Sequence, residues 1–300
     1  MGRASIPVDL LNPGQVFACL GFLEVADALS GPAQGGFDWT NGNDARFEIQ
    51  ADGGDNPFHR ALESVVEARL WCLVPRGYRQ ATTPAKDEKE GRVSPPDRKK
   101  GAPSANAPVL EVETFPGPKV DKFALPLRLE CNDGRISITH WCDASSRKSF
   151  KLFAGQQKSA GIAQQMRVAI QELWTRHREE LIRDPLGMTT PLGGSSFKMD
   201  ARKAWTTIDA GYSPDQQAHT VEASPVVELF AAIGLEHARP LECETREMRY
   251  GVWRGPLRPV LARAALGGVY TGVPIRTFRF TLDRAGHNKV VTFAEEETVL

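Results

Sequence analysis

The chain has 300 residues, and its 37 Lys and Arg side chains are balanced by 37 Asp and Glu, so its formal net charge is zero. Zero net charge argues against a freestanding nucleic-acid-binding domain, which normally carries a strongly basic surface. The longest apolar run, residues 16–23, is too short to cross a membrane, and no basic and then hydrophobic signal segment opens the sequence. We therefore expect a soluble, cytoplasmic protein without membrane contacts.

The charges are distributed unevenly. Residues 1–70 hold four basic and ten acidic side chains, residues 144–183 hold eight and three, and residues 246–289 hold nine and two. This asymmetry is typical of a subunit with an acidic side and a basic side, although charge runs are also common on ordinary solvated faces. Composition alone leaves both explanations open.

The first helix is predicted within NPGQVFACLGFLEVADAL, residues 12–29, after a short strand over residues 4–10. Asn12 is in position to cap this helix and Pro13 to begin it. The stretch also has features of a phosphate-binding turn and of a cysteine nucleophile. It has only two glycines and no lysine, however, and Cys19 lies among apolar residues, which raise a thiol pKa. We interpret it as a packing helix.

A period-two strand is predicted over residues 45–51, followed by a helix with Asn56 as its cap and Pro57 as its first residue. Apolar residues continue at helical spacing from Phe58 to Leu73, which predicts that the helix extends that far.

Residues 76–108 contain prolines, small polar residues and mixed charges but almost no large apolar side chains. Because such a segment cannot bury enough apolar surface to offset its ordering entropy, we predict a flexible insertion. It separates an N-terminal α/β segment, residues 1–75, from an α+β segment, residues 109–300, and we expect these two to pack as one continuous domain. Contact of its basic residues with nucleic acid is the alternative to a solvated loop.

A β-hairpin is predicted next, with apolar residues alternating from Leu125 to Cys131, a turn at residues 132–134 and a return strand up to His140. His140 shares a face with apolar residues, and its neighbours have no recognised metal-ligand spacing. We interpret it as a half-buried histidine rather than a metal ligand.

Two further helices and a hairpin follow. One helix is predicted over residues 161–183, with exposed Arg167, Arg176, Arg178 and Arg183. The other is SPVVELFAAIGL, residues 224–235, which begins with Ser-Pro and resembles the helix of residues 12–29, although the echo is too short to indicate a repeat. Residues 273–296 predict a C-terminal hairpin. Together the elements predict an α+β fold in which a mixed or antiparallel sheet is covered by several helices.

The five cysteines are odd in number and include no CxxC pair, which indicates neither a disulfide framework nor a structural zinc site. We predict that they are reduced core residues: Cys19, Cys72, Cys131, Cys142 and Cys243.

Established catalytic motifs such as GxSxG, HExxH and GxxxxGK[ST] do not occur in the sequence. Asp200, Asp209 and Asp215 are compatible with a metal-dependent nuclease, but they fall in a polar, turn-rich stretch and their separations do not specify a metal cluster. We therefore predict a protein that is not an enzyme and that carries no cofactor or metal.

A nucleic-acid-binding segment is predicted in SSRKSFKLFAGQQKSAG, residues 145–161, which combines cations and amides ahead of a helix start. Cations and helix amides suit phosphates, and glutamine can read base edges. The alternative is that Phe150 and Phe153 belong to the core and the cations are merely exposed. The candidate binding residues are Arg147, Lys148, Lys151, Gln156, Gln157 and Lys158.

Four stretches resemble a family of proteins encoded in type I-U, now I-G, CRISPR loci, and we refer to them as the family-like stretches. They are NPGQVFACLGFLEVAD (residues 12–27), HWCDASSRKSFKLFAGQQ (140–157), SSFKMDARKAWTTIDAGYSPDQQ (195–217) and VVELFAAIGLEHARP (226–240). The similarity covers nearly the whole chain apart from residues 76–108.

The resemblance implies a subunit of the RNA-guided surveillance complex Cascade, similar to its large subunit. Such a subunit lies at the 5′ end of the guide RNA, inspects the protospacer-adjacent motif, helps to open the duplex and offers a surface to the helicase-nuclease. The implied partners are the CRISPR guide RNA, target DNA, other Cascade subunits and the helicase-nuclease. The chain is shorter than the usual large subunit, and a C-terminal helical bundle does not fit well after residue 240.

Two alternatives stay open. One is a protein-interaction adaptor of the CRISPR system that does not touch nucleic acid. The other is a guide-RNA processing nuclease, which is disfavoured because no histidine accompanies the basic segment in an acid–base arrangement.

Overall fold

The structure, a computed structural model, describes residues 1–42, 44–75, 111–115, 126–139, 159–192, 196–204, 221–285 and 288–297. Its helices are α1 (Pro13–Ser30), α2 (Pro57–Glu67), α3 (Ser159–Arg176), α4 (Arg178–Arg183), α5 (Pro225–His237) and α6 (Pro259–Leu266). A 3₁₀ turn spans Ala201–Lys203.

The strands of the first half are β1 (Gly2–Pro7), β2 (Ala33–Asp38), β3 (Arg46–Ala51), β4 (Arg69–Pro75), β5 (Glu111–Phe115), β6 (Leu127–Cys131) and β7 (Gly134–Ile138). The remaining strands are β8 (Thr190–Pro191), β9 (Glu222–Ala223), β10 (Leu241–Glu244), β11 (Glu247–Trp253), β12 (Ile275–Ala285), β13 (Asn288–Val291) and β14 (Glu295–Glu296).

The N-terminal elements form a split βαβ arrangement. The sheet order is β1-β3-β2, and β3 is antiparallel to both neighbours, so β1 and β2 run parallel with β3 inserted between them. Phe47 and Ile49 of β3 are buried, whereas the intervening polar residues lie on the outer face. The predicted alternation of residues 45–51 is therefore confirmed.

Further sheets follow the orders β5-β4-β6-β7 and β10-β11-β12-β13, with β14 also pairing with β12 and with β8 pairing with β9. The pair β4–β5 is parallel and the other pairs are antiparallel. The predicted α+β class with a mixed sheet and several helices is confirmed. Among the described residues, no helix combines the length and apolarity needed to cross a membrane.

Helices α1 and α5 form the centre of the packing. Most residues of both helices are buried, as expected for helices that are apolar around most of their circumference. Phe22 of α1 stacks on Phe230 of α5 with ring centroids 3.9 Å apart. The packing helix predicted over residues 12–29 is confirmed, and burial raises the pKa of the Cys19 thiol, as expected for a residue of the core.

The helix predicted from Pro57 to Leu73 is too long. Asn56 caps it, its side chain accepting from the amides of Phe58 and His59, but the helix ends at Glu67. Residues 69–75 instead form β4, which is paired on both sides. The apolar spacing fits a strand as well as a helix here, because Leu70, Cys72 and Val74 alternate into the core.

The helix predicted over residues 161–183 is divided at His177, whose backbone leaves the helical region. The break separates α3 from α4, and Leu181 of α4 is fully buried. Arg167 is not exposed as predicted, because it lies half-buried and donates to the Val66 carbonyl oxygen at 3.1 Å.

Both predicted hairpins are confirmed by the pairs β6–β7 and β12–β13. Among the cysteines, Cys19 and Cys72 are buried, but Cys131 is only half-buried and Cys243 is exposed on β10. The prediction that all five belong to the core is wrong for Cys243, because every residue of this edge strand is exposed. Cys142, His140 and the insertion of residues 76–108 lie outside the described residues.

Candidate nucleic-acid interface

Of the predicted binding segment, residues 145–161, the structure describes only residues 159–161. All six candidate residues lie outside the described residues: Arg147, Lys148, Lys151, Gln156, Gln157 and Lys158. The last described residue before this segment is Thr139, whose amide donates to Glu236 Oε2 at 2.7 Å and whose hydroxyl donates to Glu236 Oε1. The chain leaves the segment at α3. Thr139 is thus anchored near the C-terminal end of α5.

A partly buried ion pair joins α6 to α1. Arg263 of α6 donates from Nε and from its terminal nitrogen to the two oxygens of Glu24 on α1, each at 2.6 Å. The hydrogen bonds to Glu24 raise the pKa of Arg263. Because both groups are committed to one another, this arginine ties α1 to α6 and is not free for phosphate.

The arginines of the C-terminal sheet are also largely paired. Arg249 bonds Glu297, Arg276 bonds Glu296, and Arg279 approaches both Glu247 and Glu297. The charge count over residues 246–289 did not include this neutralisation, because Glu296 and Glu297 lie just beyond that range, in or next to β14. A phosphate would have to displace a carboxylate there, so this sheet is a poorer backbone-binding surface than its arginine count indicates.

A polar groove of about 320 Å³ lies on the outer face of the first sheet. Its floor includes Arg3, Gln50 and Gln34, which form one rung across the strands, and its wall is the loop of residues 254–256. Gly36 lies on the same face, and a Cβ there would collide with the Gly255 backbone. The missing side chain is what allows the loop to approach the sheet.

Charges within this groove are balanced. Arg3 pairs with Glu48 at 2.7 Å. Hydrogen bonds from the Thr40 hydroxyl and amide, together with the charge of Arg254, lower the pKa of Asp38. Amide side chains and balanced charges suit the uncharged polar edge of a ligand, such as a base edge, better than a run of phosphates. These residues were not predicted from the sequence, although the polar alternation along β3 was a usable signal.

A buried polar cluster joins the starts of α1 and α5 to the 3₁₀ turn. Asp200 accepts from Asn12 Nδ2 at 2.9 Å, from the Ser224 amide at 2.9 Å and from Arg202 at 2.7 Å. Asn12 stands at the predicted cap position, but its side chain makes no capping bond to α1 and instead accepts from the Ala201 amide. We call Asn12, Asp200, Arg202, Ser224 and Glu228 the buried polar cluster.

Glu228 is the unusual member of this cluster. Burial and the charge of Asp200 raise its pKa from 4.5 to about 7. Its Oε1 accepts from the Asp200 amide at 3.2 Å, while Oε2 has no hydrogen-bond partner within the described ranges. The carboxylates of Glu228 and Asp200 are both buried and are engaged with groups inside the protein, so their geometry suits a scaffold rather than acid–base catalysis.

The buried polar cluster also bears on the metal-dependent nuclease site that Asp200, Asp209 and Asp215 were considered for. Asp200 is committed to hydrogen bonds inside the protein, and Asp209 and Asp215 lie outside the described residues. In the part of the chain that the structure describes, no group of three or more His, Cys, Asp or Glu side chains is placed to hold a metal ion.

Three of the four family-like stretches meet at the buried polar cluster. Asn12 belongs to the first, Asp200 and Arg202 to the third, and Glu228 to the fourth. Comparison of the chain with protein-family models, curated proteins and solved structures found no match.

Proposed function

We propose that the protein is a non-catalytic subunit of a type I-U (I-G) CRISPR Cascade surveillance complex in antiviral defence, similar to the large subunit and acting in the cytoplasm. It would bind guide RNA, target DNA or both, assist recognition of the protospacer-adjacent motif and help to recruit the helicase-nuclease. Within such a complex, guide pairing reads the sequence while the protein reads the motif and the backbone.

The observation that carries this proposal is the convergence of the family-like stretches. Residues 188 positions apart in the chain, Asn12 and Asp200, are joined by a direct hydrogen bond inside the protein. Stretches that build one buried cluster constrain each other physically, because an unpaired buried polar group costs about 1–3 kcal/mol. The three stretches therefore belong to one structural unit of this protein, which supports considering their resemblances together.

Nucleic-acid contact is assigned to the segment of residues 145–158. The described arginines support this choice indirectly, since Arg249, Arg263 and Arg276 are committed to carboxylates. Phosphate contacts position a complex without specifying sequence, so a local basic segment on a neutral protein suits a subunit held in place by its neighbours.

The second candidate function is a protein-interaction adaptor that makes no nucleic-acid contact. Exposed apolar residues on α6 favour it. The experiment that separates the two is co-expression with the other proteins of the locus and the guide RNA, followed by purification before and after nuclease treatment. The subunit hypothesis expects protected guide RNA to co-purify, and an adaptor leaves protein partners without RNA.

The same preparation tests the processing nuclease. Incubation of the purified protein with repeat RNA should give no cleavage above the buffer control. Cleavage that tracks with the protein through successive purification steps contradicts the non-catalytic assignment.

A further inference from the structure

A second groove, of about 630 Å³, lies at the end of the first sheet. Its volume falls within the range of roughly 300–1,000 Å³ that is typical of small-ligand sites. Three aspartates line it: Asp9 follows β1, Asp44 precedes β3, and Asp184 follows α4. We call it the acidic groove. The polar groove described above has different lining residues.

Two of these aspartates face each other in the strand register. The Val8 amide donates to the Ala45 carbonyl oxygen at 3.0 Å, which continues the antiparallel register of β1 and β3 by one step. The next pair in that register is Asp9 and Asp44. Like charges directly opposite one another on a sheet are destabilising. A cation bound between the two carboxylates would relieve this repulsion.

The three aspartates have no cation of their own. Among the described residues, none of them takes part in an ion pair. Oδ1 of Asp9 accepts from the Leu11 amide at 2.9 Å, and Oδ1 of Asp184 accepts from the Gly187 amide at 2.8 Å. The second oxygen of each carboxylate is therefore left for a ligand.

The cations nearby do not cancel this charge. Four carboxylates and one guanidinium line the acidic groove, which leaves three negative charges, and that guanidinium is paired with one of the carboxylates. Arg46 donates to the hydroxyl and the carbonyl oxygen of Ser5, at 3.0 and 3.1 Å. Arg202 is bonded to Asp200. Arg183 is exposed and is not among the lining residues.

Gln15 presents a buried hydrogen-bond donor to the acidic groove. This third residue of α1 is 7% exposed and lines the groove. Its Oε1 accepts from the Asp9 amide at 2.8 Å. Because that amide can only donate, the carboxamide oxygen must face it, and the amino group points away from it. Within the described ranges Nε2 has no hydrogen-bond partner, so an acceptor from a ligand would satisfy it.

The acidic groove therefore suits a ligand that combines positive charge with a hydrogen-bond acceptor. An arginine within a peptide has both, since its guanidinium binds carboxylates and its main chain offers carbonyl oxygens. A nucleic-acid backbone is disfavoured, because the three carboxylates repel its phosphates. In the part of the chain that the structure describes, no three His, Cys, Asp or Glu side chains are placed to hold a metal ion.

We propose that the acidic groove binds an arginine-bearing segment of a protein partner. The guanidinium pairs with Asp9 and Asp44, and a main-chain carbonyl oxygen of the segment accepts from Gln15 Nε2. Leu11, which is 45% exposed at the rim, contacts the aliphatic part of the arginine. This site goes beyond the proposed function, because it needs no nucleic acid and is separate from residues 145–158.

The test measures binding of a fluorescently labelled peptide, acetyl-Gly-Arg-Gly-Arg-Gly-amide, to the full chain by fluorescence anisotropy. A second peptide with citrulline in place of both arginines keeps the shape and the main chain but lacks the charge. It should bind about tenfold more weakly or less, because charge-assisted hydrogen bonds are lost. Absence of saturable binding by the arginine peptide, or equal binding of the two peptides, overturns the proposal.

Paired variants locate the bound peptide. Asp9→Asn with Asp44→Asn removes two charges at nearly constant side-chain size and should weaken binding about tenfold. The control, Asp52→Asn with Asp55→Asn, makes the same change in net charge at two exposed positions outside the acidic groove and should leave binding unchanged. Circular dichroism checks that both variants are folded. Equal weakening in the two variants would mean that only overall charge attracts the peptide, which overturns the site.

Competition identifies the class of ligand. Spermidine has several positive charges but no carbonyl oxygen, whereas guanosine offers donors and an acceptor without charge. Both should displace the labelled peptide only at higher concentrations than the unlabelled peptide does. Displacement at a lower concentration by spermidine indicates a polyamine site, and by guanosine a base-edge site, and either result overturns the peptide assignment. Because guide RNA is absent from these measurements, their failure leaves the proposed function unaffected.

Discussion

Gly21 of α1 and Gly234 of α5 face each other where the two central helices cross. A Cβ built on Gly21 would lie under 3.0 Å from the Phe230 carbonyl oxygen, and one on Gly234 would lie under 3.0 Å from the Phe17 carbonyl oxygen. The contact is reciprocal, since each glycine leaves room for the backbone of the other helix. The helices can pack this closely only while both positions lack a side chain.

Replacing either glycine should strongly destabilise the fold. Gly21→Ala and Gly234→Ala each force a Cβ against backbone atoms, which cannot rotate away as a flexible side chain can. We expect each variant to lose about 3 kcal/mol or more of unfolding free energy, measured by urea denaturation.

The matched control is Gly161→Ala in α3, where a built Cβ meets nothing within 4 Å. Alanine is the better helix former there, so this variant should gain about 0.5–1 kcal/mol. Equal effects at Gly21 and Gly161 would show that backbone propensity, and not the helix crossing, decides the outcome.

The helices themselves were predictable, but their contact was not. Asn12-Pro13 and Ser224-Pro225 are local start signals, and both predicted helices formed. The crossing joins residues more than 200 positions apart, and local periodicity carries no information about such a partner. The loose similarity between residues 12–29 and residues 224–235 reflects two apolar helices that each need a glycine where they cross.

Stability should depend on pH through Glu228. Its folded-state pKa of about 7 lies above the ordinary value of 4.5, so the folded protein holds a proton that the unfolded chain releases between these values. The resulting stabilisation is fully present below about pH 4.5 and is lost as the pH rises through about 7. Glu228→Gln should remove this loss, so that the variant gains on the order of 3 kcal/mol relative to the parent between pH 5 and pH 8.

Urea denaturation at each pH measures this difference. Asp200, Lys203 and the Met199 amide also face Glu228, and all three are present in parent and variant alike. Glu179→Gln, at an exposed position of α4, is the control and should follow the parent at every pH. A Glu228→Gln profile parallel to the parent contradicts the assigned pKa.

Removing residues 80–105 should leave the fold intact. Strands β4 and β5 are parallel neighbours, with Trp71 opposite Glu111 and Pro75 opposite Phe115. A connection from residue 75 to residue 111 must therefore return along about five residues of strand, roughly 16 Å. The nine remaining linker residues reach up to roughly 30 Å when extended.

Thermal unfolding followed by circular dichroism checks this deletion. We expect one cooperative transition close to that of the parent, because loop-closure cost changes slowly with loop length. Loss of cooperativity would mean that the removed residues contribute to the core.

The site was less predictable than the fold, for an electrostatic reason. Sequence counts assigned a strong positive balance to the C-terminal third, yet Arg276 is paired with Glu296. Likewise Arg263 pairs with Glu24, which lies 239 residues away. A charge count along the chain cannot register neutralisation across the fold, whereas the period-two signal of β3 needs only neighbouring residues.

The predicted length of α2 was wrong for a related reason. Only pairing with strands that are distant in the sequence decides that residues 69–75 form a strand.

The basic segment gives the sharpest functional prediction. Replacing Arg147, Lys148, Lys151 and Lys158 by alanine should weaken binding of the assembled complex to target DNA for every flanking motif. If all four contact phosphates of the duplex, the slope of log K against log salt concentration should decrease in magnitude by about 3.6. Replacing Gln156 and Gln157 should instead change the preference among motifs, because a bidentate amide-to-base contact contributes about 1–3 kcal/mol of discrimination.

A control variant separates a local effect from a change of net charge. Arg176→Ala with Arg183→Ala removes two exposed cations from α3 and α4 without altering residues 145–158, and it should leave the salt slope unchanged.

Circular dichroism must first show that each variant is folded, since Phe150 and Phe153 are candidates for core residues. If the four-cation variant assembles with guide RNA and binds target DNA as tightly as the parent across the salt series, phosphate contact by this segment is excluded. Because the described C-terminal arginines are largely paired with glutamates, that result would favour the adaptor function over a second basic surface.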